Sequence, residues 1–485
     1  MLCRYPSLIA VLFLPVVAEV VFARPQWRLG VPPVHPPVDP PSHIPMKDGV
    51  LLPPYDTIYT FDQLIDHDNP RLGTFKQRYY FTHEFYRHGG PIVISTPGEG
   101  PLDGYAGFIT NATLNGVVAQ ATKGAAVMIE HRFFGESNPY SDLSEESYRV
   151  HTLEQAIEDL VYFAQTAVLP MPGGNSVGAS KAPWFLFGGS YSGALGYFEP
   201  IREHMPKNCS ADVERVIRYM DRTLAFGSQL QKEAFKARFG MSGLTHLDDV
   251  AATLVAPFNP WQDLSPKTGS NNTFVEFCDA LEVRNGIAAP ADGWGLSHSL
   301  AAFGNWMKGF LAQTPVSARI SKSSISPSET QAGLGSGFAA IILRQCSNYF
   351  PKTFPSATSA RPKTEEVNAK YGGWSTNAPR IFFANGKRDP WREATVSSDF
   401  INRSSTRQNP IAVSDGFHCN DLDMANAIDP TIAKVQEFAV RYFVQWMDEY
   451  RWSISPLPPT FYHEKIPADI IDAPPSPLSN FLSQL

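Results

Sequence analysis

Trp184-Phe185-Leu186-Phe187-Gly188-Gly189-Ser190-Tyr191-Ser192-Gly193 is an apolar run that ends in a glycine-flanked serine. Four bulky apolar residues bounded by glycines predict a short buried strand. A strand that turns sharply at a serine and continues as a helix is a nucleophile elbow, which lifts the hydroxyl above the strand ends. Small neighbours are needed there because the turn is strained and crowded. The G-x-S-x-G spacing is met at Gly188 and Ser190, but Ser192 stands where the second glycine belongs and Gly193 follows one place later. Taken alone the motif competes with a plain Gly/Ser turn, so its surroundings decide.

Two more apolar runs bounded by turn signals, Pro91–Thr96 and Ala125–Glu130, predict buried strands of a parallel sheet. Between the second and Trp184 lies a helix. Thr152 is its N-cap, Gln155 stands three residues on, and Leu153, Ala156, Ile157, Leu160, Val161 and Ala164 recur at helical spacing. Strand, helix, strand predicts a right-handed crossover and an α/β fold. A late set, with strands at Arg380–Ala384 and Ile411–Ser414 and a helix at Ile432–Tyr450, is expected to complete the same sheet. The region from Cys209 to Phe310 is helical in character and reads as an inserted cap that shapes a cleft.

A serine needs a base to take its proton and a carboxylate to orient that base. In α/β hydrolases the order is Ser, acid, His, with both partners on loops after late strands. Ile381-Phe382-Phe383-Ala384-Asn385-Gly386-Lys387-Arg388-Asp389 supplies an acid just past a strand, and Asp415-Gly416-Phe417-His418 a histidine after the next. Ser190, Asp389 and His418 are therefore the candidate catalytic residues. Asp415 is the competing acid, three residues from His418, where a turn-forming role also fits. For the oxyanion, the Tyr191 amide and the Pro97-Gly98-Glu99-Gly100 turn offer donors, although the glycines there serve a bare turn equally well.

Composition narrows the alternatives. Across 485 residues, 40 Lys+Arg against 47 Asp+Glu give a net charge of −7, so no basic patch for nucleic acid is implied. Ten of the 42 prolines fall between Arg24 and Pro54, so residues 24–58 are expected to be a Pro-rich linker or propeptide. Residues 1–23 read as a secretory signal: Arg4, an apolar Leu8–Val21, then Val21-Phe22-Ala23. Sequons at Asn111, Asn208, Asn271 and Asn402 agree with secretion. Four cysteines, Cys209, Cys278, Cys346 and Cys419, remain after the signal, and their spacing leaves three pairings open and shows no zinc pattern.

Together these elements resemble the secreted and lysosomal serine peptidases that include Pro-Xaa carboxypeptidase, dipeptidyl peptidase II and the fungal prolyl endopeptidases. The matching strings are Phe61-Asp62-Gln63 with Asp66-His67, Thr74-Phe75-Lys76-Gln77-Arg78-Tyr79-Tyr80, Glu130-His131-Arg132-Phe133-Phe134-Gly135-Glu136-Ser137, the elbow, Asn385-Gly386 with Asp389-Pro390-Trp391, and Gly416-Phe417-His418. The resemblance implies an α/β-hydrolase sheet domain with an inserted helical cap and the same triad. It also implies cleavage after proline, often at acid pH, and a Cys209–Cys278 bridge. Glu99 falls in the loop beside the nucleophile, where it either holds a substrate amine or makes a buried loop ion pair. Peptide or protein substrates are the expected partners, with no nucleic acid, no stable membrane span and no metal or organic cofactor; a homodimer stays open. The expected location is extracellular or vacuolar/lysosomal.

The domain order read from the chain is signal 1–23, linker 24–58, sheet domain 59–208, cap 209–345, sheet domain 346–452 and Pro-rich tail 453–485. Two departures from the family pattern stand out, of which the first predicts an incomplete sheet and the second a loop or disordered segment at the cleft. Gly196 and Pro200 interrupt the elbow helix with no strand-like run before Cys209, and Gln313 to Gly337 is rich in Ser, Thr, Gly and Ala without periodicity.

Overall fold

A computed structural model of the chain describes residues 38–190, 198–313, 346–356 and 364–454. The expected signal, the Tyr191 amide, the Ser/Thr-rich stretch after Gln313 and the tail from 455 lie outside them.

The first half builds a sheet. A small hairpin, β1 (Met46–Lys47) and β2 (Val50–Leu51), precedes β3 (Tyr59–Leu64), β4 (Thr74–Thr82), β5 (Ile92–Ser95), β6 (Ala125–Ile129) and β7 (Trp184–Phe187). The last five form one sheet in the order β3-β4-β6-β5-β7. β3 and β4 pair antiparallel, as do β4 and β6, whereas β5 lies parallel to both β6 and β7. Every residue of β5 and β6 is buried, which is why both were legible as unbroken apolar runs. Helices α1 (Leu114–Thr122) and α2 (Leu153–Thr166) connect the strands. Of the Pro-rich stretch, residues from 38 on pack against this body rather than trailing from it: Val38 and Tyr55 are buried, and the Val38 carbonyl accepts from the Gly107 amide at 3.0 Å.

Thr152 caps α2 as expected, its side chain accepting from the Gln155 amide. The inward face of α2 is not the expected one. Gln155, Asp159 and Phe163 are buried, whereas Ile157 and Val161 are each 39% exposed. The cause is a buried polar framework. Arg132, fully buried, donates through Nε to Asp159 Oδ2 at 2.7 Å and through its other nitrogens to the carbonyls of Leu64, Ile65 and Val150. His67 also meets Asp159 at 2.8 Å. Beside it, Glu130 accepts from Arg78 Nε at 2.9 Å, Ser137 Oγ at 2.6 Å and the Leu102 amide at 2.7 Å. Gln63 and Gln77 bond each other at 2.9 Å. A buried charge is tolerated only when paired and hydrogen-bonded, and α2 turns its carboxylate inward to meet that need.

A helical layer follows: α3 (Phe198–His204), α4 (Lys207–Phe226), α5 (Gln229–Arg238), α6 (Leu247–Val255), α7 (Thr273–Glu282) and α8 (Leu296–Gln313). A 3-10 segment, Ala256–Asp263, precedes α7, and a small hairpin of β8 (Val283–Arg284) and β9 (Ile287–Ala288) follows it. The layer has its own core, around Phe239, Phe277, Phe303 and Met307. Cys209 and Cys278 form a disulfide that ties α4 to α7, while Cys346 and Cys419 are not disulfide-bonded.

The late elements are α9 (Thr364–Tyr371), β10 (Phe383–Gly386), β11 (Ile411–Ser414) and the long α10 (Pro430–Ile454). They depart from expectation in two respects: β10 runs from Phe383 to Gly386 rather than over Arg380–Ala384, and β10 and β11 pair parallel with each other but form a separate two-stranded sheet. Among the described residues β7 is an edge strand, and no strand lies between it and β10 in the sequence of ladders. What joins the two sheets is α10. Its Phe443 packs on Phe185 and Phe187 of β7, at ring separations of 5.0 and 4.8 Å. Phe438 and Tyr442 of the same helix hold Phe382, the residue before β10, at 5.8 and 5.9 Å. The unmet edge leaves Leu186, in the middle of the elbow strand, 58% exposed. Among the described residues no helix is long and apolar enough to cross a membrane.

Candidate active site

Ser190 stands at the end of β7 with φ of +59°, a left-handed conformation that a non-glycine residue adopts only when its surroundings enforce it. The turn exposes the serine part-way, as a nucleophile elbow requires. Its Oγ lies 2.7 Å from His418 Nε2. His418 Nδ1 in turn meets both carboxylate oxygens of Asp389 at 2.9 Å. Asp389 and His418 are 3% and 6% exposed, so the pair is screened from water while the serine is not.

Local sequence explains the placement of the two loops. They approach so closely that a Cβ on Gly386 would sit 2.1 Å from the Gly416 carbonyl, and only glycine fits. The approach lets the Arg388 amide donate to the Gly416 carbonyl at 3.0 Å and the Lys387 amide to the Ser414 carbonyl at 2.8 Å. Asp389 Oδ1 also accepts from the Trp391 amide at 2.9 Å, which fixes the carboxylate. The competing acid, Asp415, is turned to the surface, where it pairs with Lys387 at 3.1 Å. Burial works against a charged imidazole at His418, but the neighbouring Cys419 and the Asp389 carboxylate outweigh it, and the pKa is raised well above the ordinary value.

The Gly98 turn borders the same region. Gly98 adopts φ of +75° and its amide faces Thr96 Oγ1 at 3.3 Å. Thr96 and Ser95 line a small cleft with Gly188 and Gly189. Glu99 makes no ion pair among the described residues. Of the sequon asparagines, Asn111, Asn271 and Asn402 are exposed; Asn208 is half-buried, its side chain accepting from the Cys209 amide at 2.9 Å.

Sequence reading missed how the helical layer reaches this site. Trp261 Nε1 donates to the Arg388 carbonyl at 2.8 Å and its ring meets Phe417 edge-on at 5.0 Å. Trp391 Nε1 donates to Gln262 Oε1 at 2.8 Å, and Asn420 Nδ2 to the Leu264 carbonyl at 3.1 Å. Between them lies Asp263, whose carboxyl is pushed up to about 7 by burial, against a smaller downward pull from His418. The string Trp261-Gln262-Asp263 carried no motif that could have announced it.

Strand, elbow and facing loops define the class of α/β serine hydrolases. Residues 63–214 and 325–438 match the family model of serine carboxypeptidase S28, and the chain belongs to that family of serine peptidases. It is 29% identical to the serine protease vicPa of Bipolaris victoriae, over 84% of this chain and 92% of that protein. It is 28% identical to vicPb of the same fungus, over 80% and 89%, and 24% identical to the lysosomal Pro-X carboxypeptidase of Homo sapiens, over 82% and 89%.

Proposed function

We propose that the chain is a secreted peptidase that cleaves after proline through an acyl-enzyme, with Ser190 as nucleophile, His418 as base and Asp389 as its orienting acid. The continuous chain of hydrogen bonds from Ser190 Oγ through His418 to Asp389 carries the reading. As Oγ attacks the scissile carbonyl, its proton passes to His418 Nε2. The imidazolium is held by Asp389, and the same proton then leaves on the amine of the departing peptide. Water repeats the cycle on the ester and releases the acid. The Tyr191 amide and the Gly98–Glu99 turn are the proposed oxyanion and substrate contacts. Preference for proline rests on the sequence strings and on the name of the Pro-X carboxypeptidase relatives.

The helical layer is read as the cap of the sheet domain, within the domain order given above, because residues 261–264 seat it on the Asp389 and His418 loops. Secretion or delivery to a lysosome-like compartment, with glycans on the sequon asparagines, follows from the sequence and from the lysosomal relatives. The test is labelling by a fluorophosphonate probe. The expected result is modification of Ser190, with turnover of prolyl peptides and not of simple acyl esters. Folded protein that takes no label on Ser190 overturns the triad, and ester turnover alone overturns the peptide substrate.

A further inference from the structure

We propose that Asp263 is a positioning residue of the site, a second carboxyl brought in by the helical layer that adds to the ionisation control of His418 exerted by Asp389 and Cys419. The proposal rests on the reading of His418 as the base. Its ground is geometric. Residues on either side of Asp263 are fastened to the loops that bear the site: Gln262 to Trp391, and Leu264 to Asn420. Asp263 is therefore held beside the His418 loop with little freedom to turn away. Its Oδ2 is sheltered from solvent and has no hydrogen-bond partner among the described residues. Buried carboxyl oxygens are ordinarily bonded, and the exceptions concentrate where a protein needs a perturbed acid.

Electrostatics agree with the placement. Burial raises the Asp263 pKa to about 7, and the one charge that acts on the carboxyl is His418, which lowers it. Coupling of this kind is reciprocal: if the imidazolium favours the Asp263 anion, the anion favours the imidazolium equally. Among the other groups that face His418 are Asp389 at Nδ1, Ser190 at Nε2, Cys419 next in the chain, and the Trp391 ring 6.4 Å away. Arg388, on the Asp389 loop, lays its guanidinium over Phe417 at 5.5 Å. Asp263 thus adds to this set a group that is neutral in acid and negative above about pH 7, and the negative form makes His418 easier to protonate.

The test is the rate of fluorophosphonate labelling at Ser190 as a function of pH, measured on the full chain and on D263N, D263S and D263E. In D263N and D263S the acid limb of the profile is expected to move down by about half a pH unit or more, a gain of about threefold in rate on that limb. D263E is expected to stay with the parent. A D263N limb that coincides with the parent overturns the proposal, and so does failure of both D263N and D263S to fold, which would make the carboxyl purely structural. H418Q keeps the two readings apart: if it labels as fast as the parent, His418 is not the base, whatever the Asp263 variants do.

Discussion

His418 Nε2 lies 2.7 Å from Ser190 Oγ although the two residues are 228 positions apart in the chain. A bond of this length across that separation would let His418, the proposed base, accept the proton without rearrangement. S190A and H418Q should each lower kcat/KM on a prolyl peptide by about 10⁴-fold or more while leaving the thermal midpoint unchanged. Steady-state kinetics beside a melting curve checks both halves of the expectation.

Asp389 receives His418 Nδ1 on both oxygens, and that pairing holds the imidazole in the tautomer with a bare Nε2. D389N keeps the shape but offers an amide that can donate to Nδ1. The ring then turns its proton toward the serine, and kcat should fall by about 10⁴-fold, with KM little changed.

Arg132 and Asp159 form a charge pair that is 0% and 2% exposed, remote in function from the serine. D159N would strand a guanidinium in the interior at a cost of about 3–5 kcal/mol, visible as an earlier urea midpoint. Activity per folded molecule should survive, which separates this residue from Asp389.

Glu282 is a buried acid whose pKa is raised to about 7, chiefly by burial and further by Asp212, with Arg215 opposing. An acid with a raised folded pKa contributes its full stability below its ordinary value, 4.5, and loses it as the pH climbs to about 7. E282Q should therefore melt with the parent near pH 4 and a few degrees above it at pH 8. Equal melting points at both values would contradict the assignment.

Much of this was legible in the sequence, and the exceptions share a cause. β5 and β6 could be read because buried strands are continuous apolar runs; the elbow strand is the same kind of run, but the expectation that it is buried fails, since only Phe187 of it is buried and Leu186 faces the open edge. The meeting of Ser190, Asp389 and His418 was foreseeable from chain order together with the placement of the last two just past late strands. The strand expected at Arg380–Ala384 runs instead from Phe383 to Gly386, because Asn385 and Gly386 pair in register with Val413 and Ser414 despite being neither apolar nor branched. The inward face of α2 was misread because Asp159 and Gln155 are buried for the sake of Arg132, a need that hydrophobic periodicity does not register. Several of the strings that carried the family resemblance, from Gln63 to Ser137, supply this buried polar framework. Trp261 and Asp263 were invisible for a further reason. Trp261 contacts Arg388 across 127 positions, and no local pattern encodes such a partner.

The separate ladders of β7 and β10 give the molecule a seam, and the reactive centre is stitched across it. Ser190 rides on one raft; Asp389 and His418 ride on the other, with α10 as the lashing. A slip of one ångström along that seam would part the hydroxyl from the imidazole while every helix stayed wound. Activity should therefore fail at a lower urea concentration than the helical signal, the enzyme falling silent before it falls apart.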